Sequence, residues 1–175
     1  MKPDRERKVT DTMNNELLCA GYTVTATEVP DEISLCFEIS ECPHRCKGCH
    51  SPHLQTSCGT PLLDIIDEAL IMYDGMVTCV CFMGGDNNQK ALCNISHWIK
   101  ATYPEIKICV YSGNDTVPQW LVDTIDYIKL GEYDESLGGL NSETTNQRMY
   151  IAETMDDITY KFRRNNHPEF SVNNL

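Results

Sequence analysis

Alternating apolar and amphipathic segments constrain the fold of this chain more than any other feature of its sequence. Four short apolar segments predict strands: ISLCFEI from Ile33, VTCVCFM from Val77, IKICVYSG from Ile106 and YIKLG from Tyr127. Three segments between them predict helices, at 61–75, 88–103 and 118–125. The order β-α-β-α-β-α-β with short connections indicates an α/β fold with a parallel sheet and right-handed crossovers.

The length of the chain limits how far this alternation can go. At roughly 25 to 30 residues per βα unit, the 175 residues cannot complete eight units. We therefore expect a partial, open (β/α) barrel of about five to six mostly parallel strands. A β-rich segment from Leu17 to Pro30 precedes the first of the four strands, and residues 149–162 predict either a hairpin or a last helix.

Side-chain patterns predict which faces of the first strand and helix are buried. ISLCFEI alternates, which places Ile33, Leu35, Phe37 and Ile39 on one face. Thr60 followed by Pro61 predicts an N-cap and a first-turn proline. The apolar stripe of the helix comprises Leu62, Ile65, Ile66, Leu70 and Met72.

Charge and hydropathy exclude several classes of function. The formal net charge is -12 and lysine and arginine form no run, so a nucleic-acid partner is not expected. No apolar run approaches the roughly 20 residues that span a bilayer, and the polar first residues lack the apolar region of a secretory leader. We expect a cytoplasmic protein without a membrane partner. Its single domain should cover 16–164, between a flexible segment at 1–15 and a polar tail at 165–175.

Ten cysteines are many for a chain of this length. In a reducing compartment, free thiols are the default state of cysteine. Five of them fall in apolar segments, where cysteine packs as a small hydrophobic residue. These five are Cys36, Cys79, Cys81, Cys93 and Cys109.

Three other cysteines stand on one short loop and indicate a metal centre. CPHRCKGCH places Cys42, Cys46 and Cys49 in a C-x3-C-x2-C spacing, directly after the strand from Ile33. Sites in α/β folds lie at this C-terminal end of the strands. Gly48 lets the backbone turn between the last two cysteines. If no fourth cysteine joins, a four-iron cluster held by these three keeps one iron open.

Zinc is the alternative metal, because thiolates and imidazoles also bind zinc. The side chains near enough to complete a tetrahedral zinc site are His44, His50, His53 and Cys58. Zinc sites more often pair C-x2-C with a second pair at a distance, so the spacing favours a cluster. A disulfide fits this loop less well.

The cysteine spacing resembles the signature of radical S-adenosylmethionine (SAM) enzymes. The resemblance implies that Cys42, Cys46 and Cys49 hold a 4Fe-4S cluster, whose open iron binds the amino and carboxylate groups of SAM. It also implies that the reduced cluster cleaves SAM, and that the resulting 5'-deoxyadenosyl radical takes hydrogen from the substrate. Gly48 stands where this family usually has an aromatic residue.

MGGD, one βα unit later, is a second motif. Glycines let the main chain approach a small charged ligand closely, although a strand-to-helix turn can also require them. In radical SAM enzymes a Gly-Gly-Glu stretch here receives the amino group of SAM, so the resemblance implies that Gly84, Gly85 and Asp86 bind this cofactor. Asp86 replaces the commoner glutamate. Ser112, in YSG where relatives have YTG, is a further candidate, and a plain turn is its alternative.

Two longer stretches resemble the activating proteins of anaerobic ribonucleoside-triphosphate reductase. They are EVPDEISLCFEISECPHRCKGCHSPHL and YIKLGEYDESLGGLNSETTNQRMY, and the resemblance covers about residues 20–163. It implies an oxidoreductase that generates a glycyl radical on that reductase, with a reduced flavodoxin-like protein as electron donor. EVPDEI replaces a glycine-rich segment of many activases, so contacts expected there do not carry over.

Two other functions stay open. One is radical chemistry on a small molecule, and the other is a non-catalytic zinc or iron-sulfur module that binds a partner. The roles of four polar residues are equally open: His50, His53, Asn146 and Arg148.

Overall fold

One mixed sheet of seven strands organises residues 17–166, the part of the chain that the computed structural model describes. The strands are β1 (Leu18–Thr25), β2 (Ser34–Ile39), β3 (Thr60–Pro61), β4 (Cys79–Met83), β5 (Lys107–Tyr111), β6 (Tyr127–Leu130) and β7 (Arg148–Ile151). The α-helices are α1 (Leu62–Met72), α2 (Gln89–Thr102) and α3 (Gln119–Val122), and 3-10 helices cover Pro52–Gln55, Asp86–Asn88 and Thr159–Asn166. The strand order is β3-β1-β2-β4-β5-β6-β7, and within these residues the sheet is open.

The four central strands are parallel, as the sequence predicts. β2 pairs with β4, β4 with β5, and β5 with β6, always in parallel. Along the chain, α1 precedes β4, α2 precedes β5 and α3 precedes β6. The predicted α/β alternation is therefore confirmed, and it brings the carboxyl ends of four strands to one edge of the sheet.

The outer strands differ from the expected five to six mostly parallel strands. β1 is antiparallel to β2, β3 to β1, and β7 to β6. A parallel pair needs a long crossover that is usually helical, whereas a chain that simply turns back forms an antiparallel pair. No α-helix lies in residues 26–33 or 131–147, which precede β2 and β7. The sheet thus has four parallel strands and three antiparallel additions.

All three α-helices pack against one face of the sheet. The strands contribute alternate side chains to this core, namely Leu35, Phe37, Ile39, Val80, Phe82, Ile108, Val110 and Ile128. The helices contribute, among others, Leu62, Ile66, Leu70, Leu92, Ile95, Ile99 and Leu121. Because burying one such side chain stabilises by roughly 1.5 to 3 kcal/mol, this layer fixes the helices to the sheet.

The opposite face of the sheet carries thiols in a row. The register pairs Cys36 with Cys81 and Cys81 with Cys109, so one row crosses β2, β4 and β5. The buried residues on this side are Val29, Cys36, Cys79, Cys81, Cys109, Met149 and Ile158. The predicted core position is confirmed for four of the five cysteines, while Cys93 on α2 is only partly buried.

Three details of the first strand and helix were predicted wrongly. Thr60 lies in β3, and Pro61 takes the N-cap position of α1 without a side-chain hydrogen bond. Met72 is the last residue of α1 and is 57% exposed. Ile33 is 44% exposed because it precedes the first residue of β2.

The end of the described chain contains part of each structure predicted for 149–162. Tyr150 forms an antiparallel bridge with Asp157, as in a hairpin, and the chain then enters the 3-10 helix at Thr159. The predicted segment 1–15 lies outside the described residues, and so does the predicted tail beyond residue 166. Within the described residues, no helix is both long and apolar enough to cross a bilayer.

Candidate functional site

A cavity of about 830 Å³ opens at the carboxyl edge of the parallel strands. Its floor is one row of side chains in register, one from each strand: Glu38, Met83, Tyr111 and Lys129. The volume lies within the roughly 300 to 1,000 Å³ of small-molecule sites. Its location agrees with the edge at which α/β folds bind ligands.

The cysteine loop forms one wall of this cavity. Cys42, Cys46 and Cys49 all line it, and all three are partly buried free thiols. Residues 41–47 alternate between exposed and partly buried, so Cys42, His44 and Cys46 share one side of the chain. The structure therefore brings the three predicted metal ligands to one space.

Main-chain hydrogen bonds shape the loop at both ends. Cys42 N donates to Leu54 O at 2.8 Å, and Cys49 N donates to Cys46 O at 3.3 Å. The second bond closes a turn in which Gly48 has a φ of 73°, a region that favours glycine. The turn predicted at Gly48 is thus present.

The surroundings of the loop disfavour an isolated thiolate at Cys42. Burial raises the pKa of the Cys42 thiol, a main-chain hydrogen bond at His44 opposes this, and negative charge at Cys46, Asp86 and Cys49 raises the pKa further. A metal centre offsets such a penalty because it binds the thiolate form.

Of the four other candidate ligands, Cys58 and His53 do not line the cavity, whereas His44 and His50 do. The Cys58 thiol donates to His53 O at 3.8 Å, and Cys58 is not among the residues that line the cavity. The His53 side chain is 58% exposed, with Nε2 3.9 Å from Glu38 Oε2. His50 does line the cavity, and its ring centroid lies 4.6 Å from that of Tyr133. Among residues 17–166, no three cysteine, histidine or acidic side chains gather closely enough to hold a single metal ion.

Three of the four predicted cofactor-binding residues also reach the cavity. Gly84, Asp86 and Ser112 line it, whereas Gly85 is not among the lining residues. A Cβ built on Gly85 would lie 2.7 Å from Leu92 Cδ1 in α2. Helix packing therefore accounts for glycine at position 85, and ligand binding by these four residues stays a prediction.

Asp86 is the hub of the turns around the cavity. Its side chain is only 4% exposed and contacts His44 Nε2 at 2.8 Å. It also accepts from Ser112 Oγ at 2.7 Å, from Gly113 N at 2.8 Å and from Gln89 Nε2 at 3.2 Å. A carboxylate offers about four acceptor positions, and the four protein groups named here already use those of Asp86. The geometry makes Asp86 an organiser of neighbouring turns.

Lys129 is a site residue that the sequence analysis missed. It is 6% exposed and lines the cavity, where its Nζ donates to Gly131 O at 2.5 Å and to Ser112 O at 3.3 Å. Burial lowers the pKa of Lys129 to about 8, against the opposing effect of negative charge at Cys46 and Asp86. The signal was a lysine inside the apolar strand YIKL, because lysine is almost never buried without a partner or a role.

Asn146 and Arg148 bind the main chain of their own segment. Asn146 Nδ2 donates to Glu132 O at 2.9 Å. Arg148 Nη1 donates to Thr145 O at 2.6 Å and to Gln147 O at 2.7 Å. These bonds hold the connection between β6 and β7, which is a structural role for both residues.

Comparison with known proteins gives one positive finding. A family model described as a 4Fe-4S single cluster domain matches residues 33–150, about two thirds of the chain. No curated protein and no solved structure matches. The matched range runs from the residue before β2 into β7, and so includes the cysteine loop and the cavity floor.

Proposed function

Because the chain belongs to the 4Fe-4S single cluster domain family, we propose that Cys42, Cys46 and Cys49 are the ligands of its cluster. One observation carries this proposal: the three thiols line a single cavity, while the Cys58 thiol donates to His53 O outside it. Thiolates are the usual ligands of iron-sulfur clusters, and three of them leave one iron of four free for another ligand.

We further propose that the protein is a radical SAM activase that generates a glycyl radical on anaerobic ribonucleoside-triphosphate reductase. The cysteine spacing and the TTNQR segment support this through their resemblance to such activases. Cys42, Cys46 and Cys49 would hold a cluster that, when reduced, would supply one electron to the sulfonium of SAM. Cleavage of its bond between sulfur and the 5' carbon would release methionine and a 5'-deoxyadenosyl radical. That radical would take a hydrogen atom from a glycine of the reductase and become 5'-deoxyadenosine. A reduced flavodoxin-like protein in the cytoplasm would supply the electron.

The residues of the cavity floor suit the charged part of SAM. An ammonium group carries three N–H donors, and main-chain carbonyls of Gly131 and Ser112 accept from that of Lys129. The third N–H donor of the Lys129 ammonium would then bind the carboxylate of SAM. Charge-assisted hydrogen bonds of this kind are about twice as strong as neutral ones. Gly84 offers its main chain beside the same floor.

Anaerobic reconstitution of the full chain tests the ligand set. We expect about four irons per wild-type chain, and loss of the cluster in Cys46→Ala. Cys58→Ser is the matched control, because it removes a partly buried thiol of the same region that does not line the cavity. A Cys46→Ala protein with the iron content and absorption of wild type would remove Cys46 from the ligand set.

Product analysis tests the activity separately. Reconstituted protein is reduced and mixed with SAM and with a reductase that carries deuterated glycine. The activase predicts deuterium in 5'-deoxyadenosine and a glycyl radical signal on the reductase. Deuterium-free 5'-deoxyadenosine that forms without a glycyl radical would instead favour a small-molecule substrate. Bound iron without SAM cleavage would indicate a non-catalytic module.

A further inference from the structure

His44, in the middle of the cysteine loop, is bound at both ring nitrogens. Its Nε2 lies 2.8 Å from Asp86 Oδ2, and its Nδ1 lies 2.9 Å from Glu132 Oε1. The side chain is 13% exposed, so most of the imidazole is shielded from solvent. Each ring nitrogen thus lies within hydrogen-bonding distance of a carboxylate oxygen on a different segment of the chain.

The two carboxylates come from the ends of different strands. Asp86 follows β4, and Glu132 follows β6. Asp86 also accepts from Ser112 Oγ and Gly113 N, which follow β5. One imidazole therefore connects the cysteine loop to the carboxyl ends of three parallel strands.

The cysteine loop and the segment after β6 also contact each other at positions other than His44. Glu135 N donates to Lys47 O at 3.2 Å, and Lys47 forms a parallel bridge with Asp134. A Cβ built on Gly113 would lie 2.5 Å from His44 Cδ2, so the ring packs directly on the main chain of that glycine. The segment after β6 is thus the surface on which the cysteine loop rests.

We propose that His44 is the positioning residue of the cysteine loop: it fixes Cys42, Cys46 and Cys49 relative to β4 and β6 through Asp86 and Glu132. The inference rests on the proposed ligand role of these cysteines. A cluster binds best where its ligands are already held by a supporting set of hydrogen bonds. The branch to Asp86 is the stronger one, because the Asp86 side chain is 4% exposed and that of Glu132 is 55% exposed.

Hydrogen exchange of the apoprotein tests the proposal without a cluster. The reporters are the amides of Gly113 and Glu135, which donate to Asp86 and Lys47. In His44→Ala we expect both to exchange at least about ten-fold faster, equal to about 1.4 kcal/mol of local opening, while amides of β4 and β5 keep the wild-type rate. His53→Ala is the matched control, since His53 is an exposed histidine of the neighbouring 3-10 helix.

Conservative variants separate positioning from packing. A glutamine at position 44 can donate from about the place of Nε2, and an asparagine from about the place of Nδ1. We therefore expect His44→Gln to restore most of the protection at Gly113 and His44→Asn to restore little. His44 and Glu132 take part in the same contact. Glu132→Ala should therefore accelerate exchange less in the His44→Ala protein than it does in the wild-type protein.

Cluster stability gives a second measurement. Reconstituted His44→Ala should contain the wild-type amount of iron but lose it to a chelator about ten-fold faster, with His44→Gln close to wild type. Wild-type exchange at Gly113 and Glu135 in His44→Ala would overturn the proposal, and so would an equal acceleration throughout the sheet. If the three cysteines are not the ligands, the reconstituted Cys46→Ala protein would hold a complete cluster. The hydrogen exchange of the apoprotein would not depend on that outcome.

Discussion

Buried carboxylates stand at both ends of the parallel strands, and each is held by donors from neighbouring strands. Asp86 has this position at the carboxyl edge, where the cavity lies. Glu32 has it at the amino edge, where it accepts from Lys107 Nζ at 2.5 Å, Thr78 Oγ1 at 2.6 Å and Tyr127 OH at 2.8 Å. Removing such a group leaves several donors unpaired, so each carboxylate ties adjacent strands together.

Glu32→Gln should destabilise the protein in a pH-dependent way. Burial by itself would raise the pKa of Glu32, but hydrogen bonds from Lys107, Thr78 and Tyr127 outweigh it and lower the pKa. The stabilisation is therefore complete above the pKa of unfolded glutamate, near 4.3, and is lost as the pH falls through the lower folded-state pKa. We expect a loss of about 1 to 3 kcal/mol at pH 7 in urea unfolding, and a smaller difference near pH 3.

The exposed Glu143 supplies the control for this measurement. Glu143→Gln should change the free energy of unfolding by less than about 0.5 kcal/mol at both pH values. A Glu32→Gln deficit that is the same at pH 7 and pH 3 would mean that charge is not the source of the stabilisation.

Lys129→Met should weaken SAM binding more than it affects cluster assembly. Methionine keeps the approximate length of the side chain but removes the ammonium that we assign to the carboxylate of SAM. We expect the dissociation constant to rise by roughly ten-fold or more, as measured by anaerobic calorimetry on protein of matched iron content. Lys161→Met is the comparison, because Lys161 lines the same cavity but is paired with Asp31. Equal effects of both variants would remove the specific role of Lys129.

Gly85→Ala should act on stability. The residue has a φ of 102°, and its added Cβ would meet the side chain of Leu92, which is fully buried. We expect a loss of about 1 to 3 kcal/mol from backbone strain, with the crowding of Leu92 in addition. Gly75→Ala isolates the strain, since Gly75 also has a positive φ but has open space around its Cβ position. If the two variants unfold at the same urea concentration, Leu92 moves aside at no cost.

The elements of this fold differ in how their ends are fixed. Asn88 is the N-cap of α2, and its side chain accepts a hydrogen bond from Ala91 N at 3.1 Å. α1 begins after Pro61 without a side-chain cap, and β3 precedes it directly. The start of α1 is therefore fixed by the pairing of β3 with β1, whereas the start of α2 is fixed by a capping side chain.

Two matched substitutions test this difference between the helices. Asn88→Ala should lower the free energy of unfolding by about 0.5 to 2 kcal/mol, the usual cost of losing an N-cap. Thr60→Ala, at the position where the sequence predicts a cap, should change it by less than about 0.5 kcal/mol. Urea unfolding of both proteins provides the measurement, and equal losses would show that Thr60 does stabilise the start of α1.

The central strands and the helices could be predicted from the sequence because their apolar patterns are local. The antiparallel direction of β1 and β7 could not, because it depends on where a segment without a helix returns to the sheet. The spacing of Cys42, Cys46 and Cys49 predicts a metal centre on one loop, and the structure adds that all three line one cavity. Their role as ligands stays a prediction. Lys129 was not recognised, because only the register of four strands places it in one row with Tyr111 and Met83.

For the molecule as a whole, the sheet separates two chemically different sides. Helices and aliphatic side chains fill one side, and the thiol row and the cavity lie on the other. Within the described residues, no α-helix contributes to the buried cluster on the thiol side. The cavity lies beside this side of the sheet, away from the three α-helices, which suits the proposed protein substrate, because that substrate has to bring a main-chain glycine to the site.

The distribution of thiols allows the folding of the protein and its cluster content to be followed by thiol reactivity. Five cysteines are buried and five are partly exposed, the latter being Cys42, Cys46, Cys49, Cys58 and Cys93. A thiol-specific colorimetric reagent should therefore modify about five groups in native apoprotein and all ten in urea, because reagents need access to the sulfur. Loading the cluster should protect the three loop thiols and leave Cys58 and Cys93 reactive. A count of ten in the native protein would mean that the sheet opens on the timescale of the reaction.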